Sequence, residues 1–195
     1  MKIEHGFPEG QRGEVAALFW QAFSGKLGWL MAPEARALDF IERALRPEHA
    51  LTAFSDTGTL LGVVGIKTWR GGLLTGDFPD LARVYGRLGA VWRGPLLDLM
   101  DRPLGHGQMV MDGLFVDRAA RGMGVGTALI GAIMDEAQAQ GMKEVRLDVI
   151  DTNLRARALY ERHGFTPTGR KDTGIFKVLF GYHHATTMSR LVDRR

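Results

Sequence analysis

The run Arg121-Gly122-Met123-Gly124-Val125-Gly126-Thr127 sets three glycines at alternate positions where a loop turns into a helix. Val125, Leu129, Ala132, Ile133 and Ala137 recur at three- and four-residue spacing, the period of a helix with one buried face. The chemistry such a junction offers is anion binding. The first N–H groups of a helix have no partner inside it, and the macrodipole adds partial positive charge there. Glycine lets the backbone approach an anion where any Cβ would intrude. Arg118 and Arg121 add full charges. Two familiar phosphate loops do not fit. A Walker-type loop ends in Gly-Lys-Ser/Thr, and no lysine stands here. A dinucleotide fingerprint needs a third glycine three residues after the second and follows its strand at once; Thr127 holds that place, and Asp117 to Arg121 intervene.

The elements that position this loop are readable on both sides. Met109 to Val116 is an apolar run that predicts a strand. Glu144 to Ile150 alternates Val145, Leu147 and Val149 with charged residues and predicts another. Asp151-Thr152-Asn153 supplies helix-cap chemistry, and a helix follows through Leu154, Ala158 and Leu159 to His163, with Gly164 as its stop. Asn153 and Tyr160 stand seven residues apart, two helical turns and nearly the same face.

Taken in order, Arg121-x-x-Gly124-x-Gly126, a helix, a strand, then Asn153-x-x-x-x-x-x-Tyr160-x-x-x-Gly164-Phe165 resembles the GNAT superfamily of acyl-CoA-dependent N-acyltransferases, over Met109 to Phe165. The resemblance implies an α/β fold with a mixed, mostly antiparallel central sheet flanked by helices. It implies acetyl-CoA as cosubstrate and no metal, with the coenzyme A pyrophosphate held by Arg121, Gly122, Met123, Gly124, Val125, Gly126 and Thr127. The backbone of Leu114, Phe115 and Val116 would pair with pantetheine as if with another strand, one N–H polarising the thioester carbonyl. Asn153 would contact the pantetheine arm, and Tyr160 would protonate the departing sulfur. Asp112 lies in the strand where many family members place a catalytic acid. Glutamate is commoner there, and aspartate is one methylene shorter, so a base at Asp112 implies a water relay; the other reading is a plain strand carboxylate.

The implied reaction is acetyl transfer to an amine of a small molecule or a peptide by direct attack in a ternary complex. An alkylammonium titrates near ~10.4, so a group that removes its proton is useful at neutral pH. A rival reading on the same fold is an acyl-CoA-binding sensor without turnover; Tyr160 and Asp112, which a pure binder does not need, favour the enzyme.

At 195 residues, with 45% hydrophobic and 24% charged, the chain suits one domain spanning 1–195. A net charge of +3 with no basic run gives no support for nucleic acid. Cysteine is absent, which removes disulfides, thiolate nucleophiles and cysteine metal sites. Without a signal-peptide core or an apolar run of spanning length, the expectation is a soluble cytoplasmic protein that does not enter a membrane.

Lys2 to Phe7 predicts a first strand, and Glu9 to Phe23 a helix. Ser24 to Ala32 predicts a loop, whose Trp29, with Trp20 and Phe23, would line an acceptor pocket or pack as core. Pro33 starts a second helix, ending before Pro47. Ala50 to Ser55 and Leu60 to Thr68 flank Asp56-Thr57-Gly58 as a hairpin. Arg70 to Gln108 is then a helical insertion between the third and fourth strands, with helix through Leu81, Val84, Tyr85, Leu88 and Trp92, interrupted at Pro95 and resumed over Leu96 to Met100. Its apolar positions predict that it docks on the core, caps the acceptor pocket or forms a homodimer contact. Two closing strands bracket Phe176, Phe180, Tyr182, His183 and His184, a loop that in this family often faces the acceptor.

Overall fold

The computed structural model describes residues 1–98, 104–172 and 184–193. Seven strands form one sheet: β1 (Lys2–His5), β2 (Ala50–Phe54), β3 (Leu60–Lys67), β4 (Gln108–Val116), β5 (Glu144–Ile150), β6 (Thr166–Asp172) and β7 (His184–Leu191). Their order is β1-β2-β3-β4-β5-β7-β6. Only β4 and β5 run parallel; every other neighbouring pair is antiparallel. This is the mixed, mostly antiparallel sheet that the resemblance implies.

Two helices cover one face of the N-terminal half, α1 (Arg12–Met31) and α2 (Glu34–Ala44), joined there by α3 (Phe78–Asp98). On the opposite face lie α4 (Val125–Ala139) and α5 (Leu154–Arg162). Alternation along the strands feeds both cores. Val63 and Phe115 pack among Phe19, Leu30, Ile41 and Leu73 on the α1 side. Val64, Met109, Met111 and Leu147 pack among Leu129, Ile133 and Phe165 on the α4 side.

Two local expectations are corrected. Ser24 to Ala32 is not a loop: α1 continues through it to Met31. Gly25 and Gly28 weaken the local preference for helix, but Leu27, Leu30 and Met31 are all buried, and that packing decides the conformation. Its consequence is that Trp20 joins the core while Trp29 stacks on Trp92 of α3 at 6.5 Å. The insertion is helical and lies between β3 and β4, but its break is not at Pro95. The helix runs through Pro95 and is kinked at Gly86, with φ 75° and ψ 163°, a conformation that a side chain resists. The end of the resumed stretch, Leu99 and Met100, lies outside the described residues; the same holds for Phe176, Phe180, Tyr182 and His183.

The insertion docks through polar anchors. Tyr85 donates its hydroxyl to the Met31 carbonyl at 2.6 Å, and Arg93 Nε donates to the Leu30 carbonyl at 2.7 Å. These are carbonyls of the last turn of α1, which a helix leaves without internal partners. The Arg93 guanidinium also lies over the Tyr85 ring at 4.2 Å and the Trp92 ring at 4.1 Å. Ahead of α3, Leu74 bridges Leu45, and Thr75 donates its N–H to the Ala44 carbonyl, tying the connection to the end of α2.

Candidate active site

β4 pairs with β3 along most of its length but with β5 only at Gln108↔Glu144, Met109↔Val145 and Val110↔Arg146. Past that point, among the described residues, the edge of β4 toward β5 meets no strand. Asp117 donates its N–H to Leu61 of β3, so antiparallel alternation turns Phe115 toward β3 and Leu114 and Val116 toward the gap. The gap therefore offers backbone N–H and C=O groups spaced as a strand would need them. The Phe115 side chain is core, 5.6 Å from the Phe19 ring and 6.1 Å from the Phe23 ring.

The ladder between β3 and β4 also slips by one residue. Gly65 pairs with Gly113 and Ile66 with Met111, leaving Asp112 as the extra residue of a bulge. The bulge turns Asp112 onto the α1 face beside the segment leading to α3. A Cβ on Gly72 would stand 3.2 Å from Asp112 Oδ2 and 3.3 Å from Lys67 Cγ. Asp112 is half-buried there.

At the outer end of the gap sits the glycine loop. Asp117 accepts the Ala119 N–H at 2.8 Å and starts a 3-10 turn over Arg118–Ala120. Arg121 Nε then donates to the Val116 carbonyl at 3.3 Å, tying the loop to the strand end. Gly122 and Gly124 have φ of 87° and 81°, angles that demand glycine. A Cβ on either would meet nothing within 4 Å, so the surface above them is open. Gly124 is the N-cap of α4, leaving the first N–H groups of that helix directed outward. This is room and charge suited to an anion, and the pyrophosphate of coenzyme A fits it. Gly126 has a packing use as well: a Cβ there would stand 3.2 Å from Leu159 Cδ2, so this glycine lets α4 approach α5.

On α5, the Asn153 side chain accepts the Ala156 N–H at 3.1 Å and caps the helix. Tyr160 is buried on the α4 face, its ring edge-on to Phe165 at 6.1 Å. The two motif regions meet at Gly126, where a Cβ would lie 3.8 Å from Leu114 Cδ2 of β4 as well as 3.2 Å from Leu159 Cδ2 of α5.

Other residues of the site escape sequence reasoning. Beyond Val110↔Arg146, the last residues that β4 and β5 pair, Asp148 is the second residue on along β5, as Asp112 is along β4. It alternates with Leu147 and Val149, which face α4, so it shares the Asp112 face. Thr187 Oγ1 donates to Asp148 Oδ1 at 2.7 Å and Lys171 Nζ to Oδ2 at 3.2 Å. A cavity of about 420 Å³ opens on this face at the foot of the gap, lined by Gln108, Glu144, Arg146, Lys171 and Thr187 among others. The alternation of β5 marked Asp148 as facing away from the core, but nothing in the sequence paired β5 with β7. His163 is the second such residue, with Nε2 3.2 Å from Thr127 Oγ1. Among the described residues, no three His, Asp or Glu stand together as a metal site.

Residues 13–165 match the Acetyltransferase (GNAT) family, and the chain belongs to that family, whose members are acyltransferases using acetyl-CoA as acyl donor. The chain is 50% identical over 54 residues to a mycothiol acetyltransferase of Beutenbergia cavernae, covering 28% of this chain and 18% of the relative. It is 33% identical over 101 residues to human N-acetyltransferase 8, covering 52% of this chain and 42% of the relative. The matches thus span less than half the length of these relatives. The crystal structure of an N-acetyltransferase from Staphylococcus aureus Mu50 shares the fold, with a TM-score of 0.68 over 97% of this chain and 100% of that one, at 16% identity.

Proposed function

We propose that this chain transfers the acetyl group of acetyl-CoA to an amine of a small molecule or a peptide by direct attack in a ternary complex. The observation that carries this reading is the gap between β4 and β5, with the open glycine loop at its mouth. The gap supplies strand-like hydrogen bonding for a pantetheine amide chain, and the loop supplies N–H groups and arginines for the pyrophosphate that follows it. Leu114 and Val116 hold the pantetheine arm, and a backbone N–H in the gap polarises the thioester carbonyl. Bound there, acetyl-CoA supplies an activated acyl group.

The acceptor approaches from the α1 face, where Asp112 and Asp148 flank the gap. Asp112 accepts the proton leaving the amine nitrogen, through water. The nitrogen–carbonyl bond forms, the carbon–sulfur bond breaks, and Tyr160 gives its phenolic proton to the sulfur. Asp148, held by Thr187 and Lys171, orients the incoming ammonium. Thiols titrate near ~8.5, so the thiolate leaves passably without help, and Tyr160 assists rather than enables.

The test is release of free coenzyme A from acetyl-CoA across polyamines, aminosugars, amino acids and peptides with free N-termini or lysines. With no cysteine in the protein, a thiol-reactive dye reads the product without background. Release that depends on one acceptor class is expected. Acetyl-CoA binding without release under any acceptor would point to a binding module, and absence of binding would overturn the reading.

A further inference from the structure

His163 closes α5 on the same side as the first turn of α4. Its Nε2 lies 3.2 Å from Thr127 Oγ1, and Thr127 is the exposed third residue of α4, next to the open glycines. Two hydrogen-bond polarities exist. With the proton on Nδ1, Nε2 accepts the threonine hydroxyl proton and leaves Thr127 no donor for an anion. With a proton on Nε2, His163 donates to Oγ1, and the threonine O–H is turned outward. Only the second arrangement serves a phosphate.

We propose that His163 is a positioning residue for the pyrophosphate site: it sets Thr127 as a donor and makes binding of pyrophosphate-bearing ligands strengthen as pH falls. The inference rests on the reading of the loop as a coenzyme A site. The groups around the imidazole are Arg162 on its own helix, Arg190 of β7, which donates to the His163 carbonyl at 2.9 Å, and Thr127 of α4. Burial, foremost, and then both arginines hold the imidazole below its ordinary value, against the pull of the helix C-terminus. In the free protein the ring therefore favours its neutral form more than an ordinary imidazole does, and that form has two tautomers open to it. An anion at the loop favours the protonated ring, which has N–H on both nitrogens. Linkage then gives the sign: the ring takes a proton more readily with the anion in place, so affinity rises as pH falls into the range where the liganded imidazole titrates.

The probe is dephospho-coenzyme A, because the 3′-phosphate of coenzyme A itself loses a proton near pH ~6 and would confound the profile. Calorimetry at pH 8 and pH 5.5 is expected to show the wild-type dissociation constant falling by about threefold to tenfold on acidification, the range one hydrogen bond commands. His163→Gln, which keeps a neutral N–H donor, should hold near-wild-type affinity at pH 8 and lose the pH dependence. His163→Leu should weaken binding at both pH values, and in a Thr127→Val background neither substitution should add anything. Thermal melting checks that each variant is folded. An unchanged pH slope in His163→Gln, or additive losses with Thr127→Val, would overturn the inference alone. Failure of the wild type to bind either dephospho-coenzyme A or acetyl-CoA would overturn the cofactor reading and the inference together.

Discussion

At the residue scale, each side chain of the site answers to a different kind of test, because each acts through different physics. Gly124 acts by lacking one. Gly124→Val is expected to abolish acetyl-CoA binding in calorimetry by filling the open surface over the N-terminus of α4. Its φ of 81° adds strain of about 1–2 kcal/mol, so the melting temperature should fall by a few degrees without loss of the fold. Tyr160 acts by a single proton. Tyr160→Phe keeps the ring against Phe165 and should lower kcat by about one to three decades, with acetyl-CoA affinity little changed; an unaltered kcat would remove Tyr160 from the chemistry. Asp148 is expected to act on the acceptor alone. Steady-state kinetics on Asp148→Asn, with the acceptor that the panel identifies, should show a raised acceptor KM at constant acetyl-CoA affinity, and a change in both would assign it a structural role.

The same residues show what the sequence could tell. Gly122 and Gly124 were legible because angle and chemistry coincide at a helix start. Asn153 was legible twice, as a cap and as a motif residue, and the structure shows the cap. Gly126 belongs to the same motif, yet its packing against Leu159 joins two helices apart in sequence and leaves no local sign. Asp148 and His163 depend on tertiary neighbours, Thr187 and Lys171 for one and Thr127 for the other, and no spacing along the chain encodes those pairings.

At the element scale, α3 lies between β3 and β4 and is fastened to α1 by two side chains aimed at carbonyls. Burial pushes the Tyr85 phenol up to about 12 from the usual 10. A proton held more tightly in the folded state stabilises fully below pH 10 and is lost as pH rises toward 12. Alkaline titration of stability should therefore show a loss of up to about 2 kcal/mol over that window, absent in Tyr85→Phe. Arg93→Ala removes both the bond to Leu30 and the cation over two rings, and should cost about 1–3 kcal/mol in chemical denaturation. The extent of α1 was the element least legible in the sequence: its glycines suggested a loop, and only the burial of Leu27, Leu30 and Met31 keeps it helical. The kink of α3 was misplaced for a related reason. Proline is the stronger local signal, but Gly86, not Pro95, takes the non-helical angles.

At the scale of the whole molecule, the resemblance implied a mixed, mostly antiparallel sheet, and the order of its strands was not legible in the sequence. Alternation marked β2, β3 and β5 and an apolar run marked β4, yet outside the β2–β3 hairpin neither says which strands are neighbours. The decisive fact is that β4 and β5 share only three residue pairs. The sheet is two leaves, β1 to β4 and β5 to β7, bound along a short spine and held from behind by α4. A leaf edge with open hydrogen-bonding groups invites pairing with foreign strands, and a ligand laid along it is mortar as much as reactant. Thermal stability should then depend on acetyl-CoA by mass action, gaining about 2.7 kcal/mol at a hundredfold excess over its dissociation constant. Melting curves run across acetyl-CoA concentrations would read this directly, and a midpoint indifferent to ligand would mean that acetyl-CoA does not bind the folded chain. In a cell, such a chain would be sturdiest when its donor is plentiful, so that its lifetime as well as its rate would follow the supply of acetyl groups.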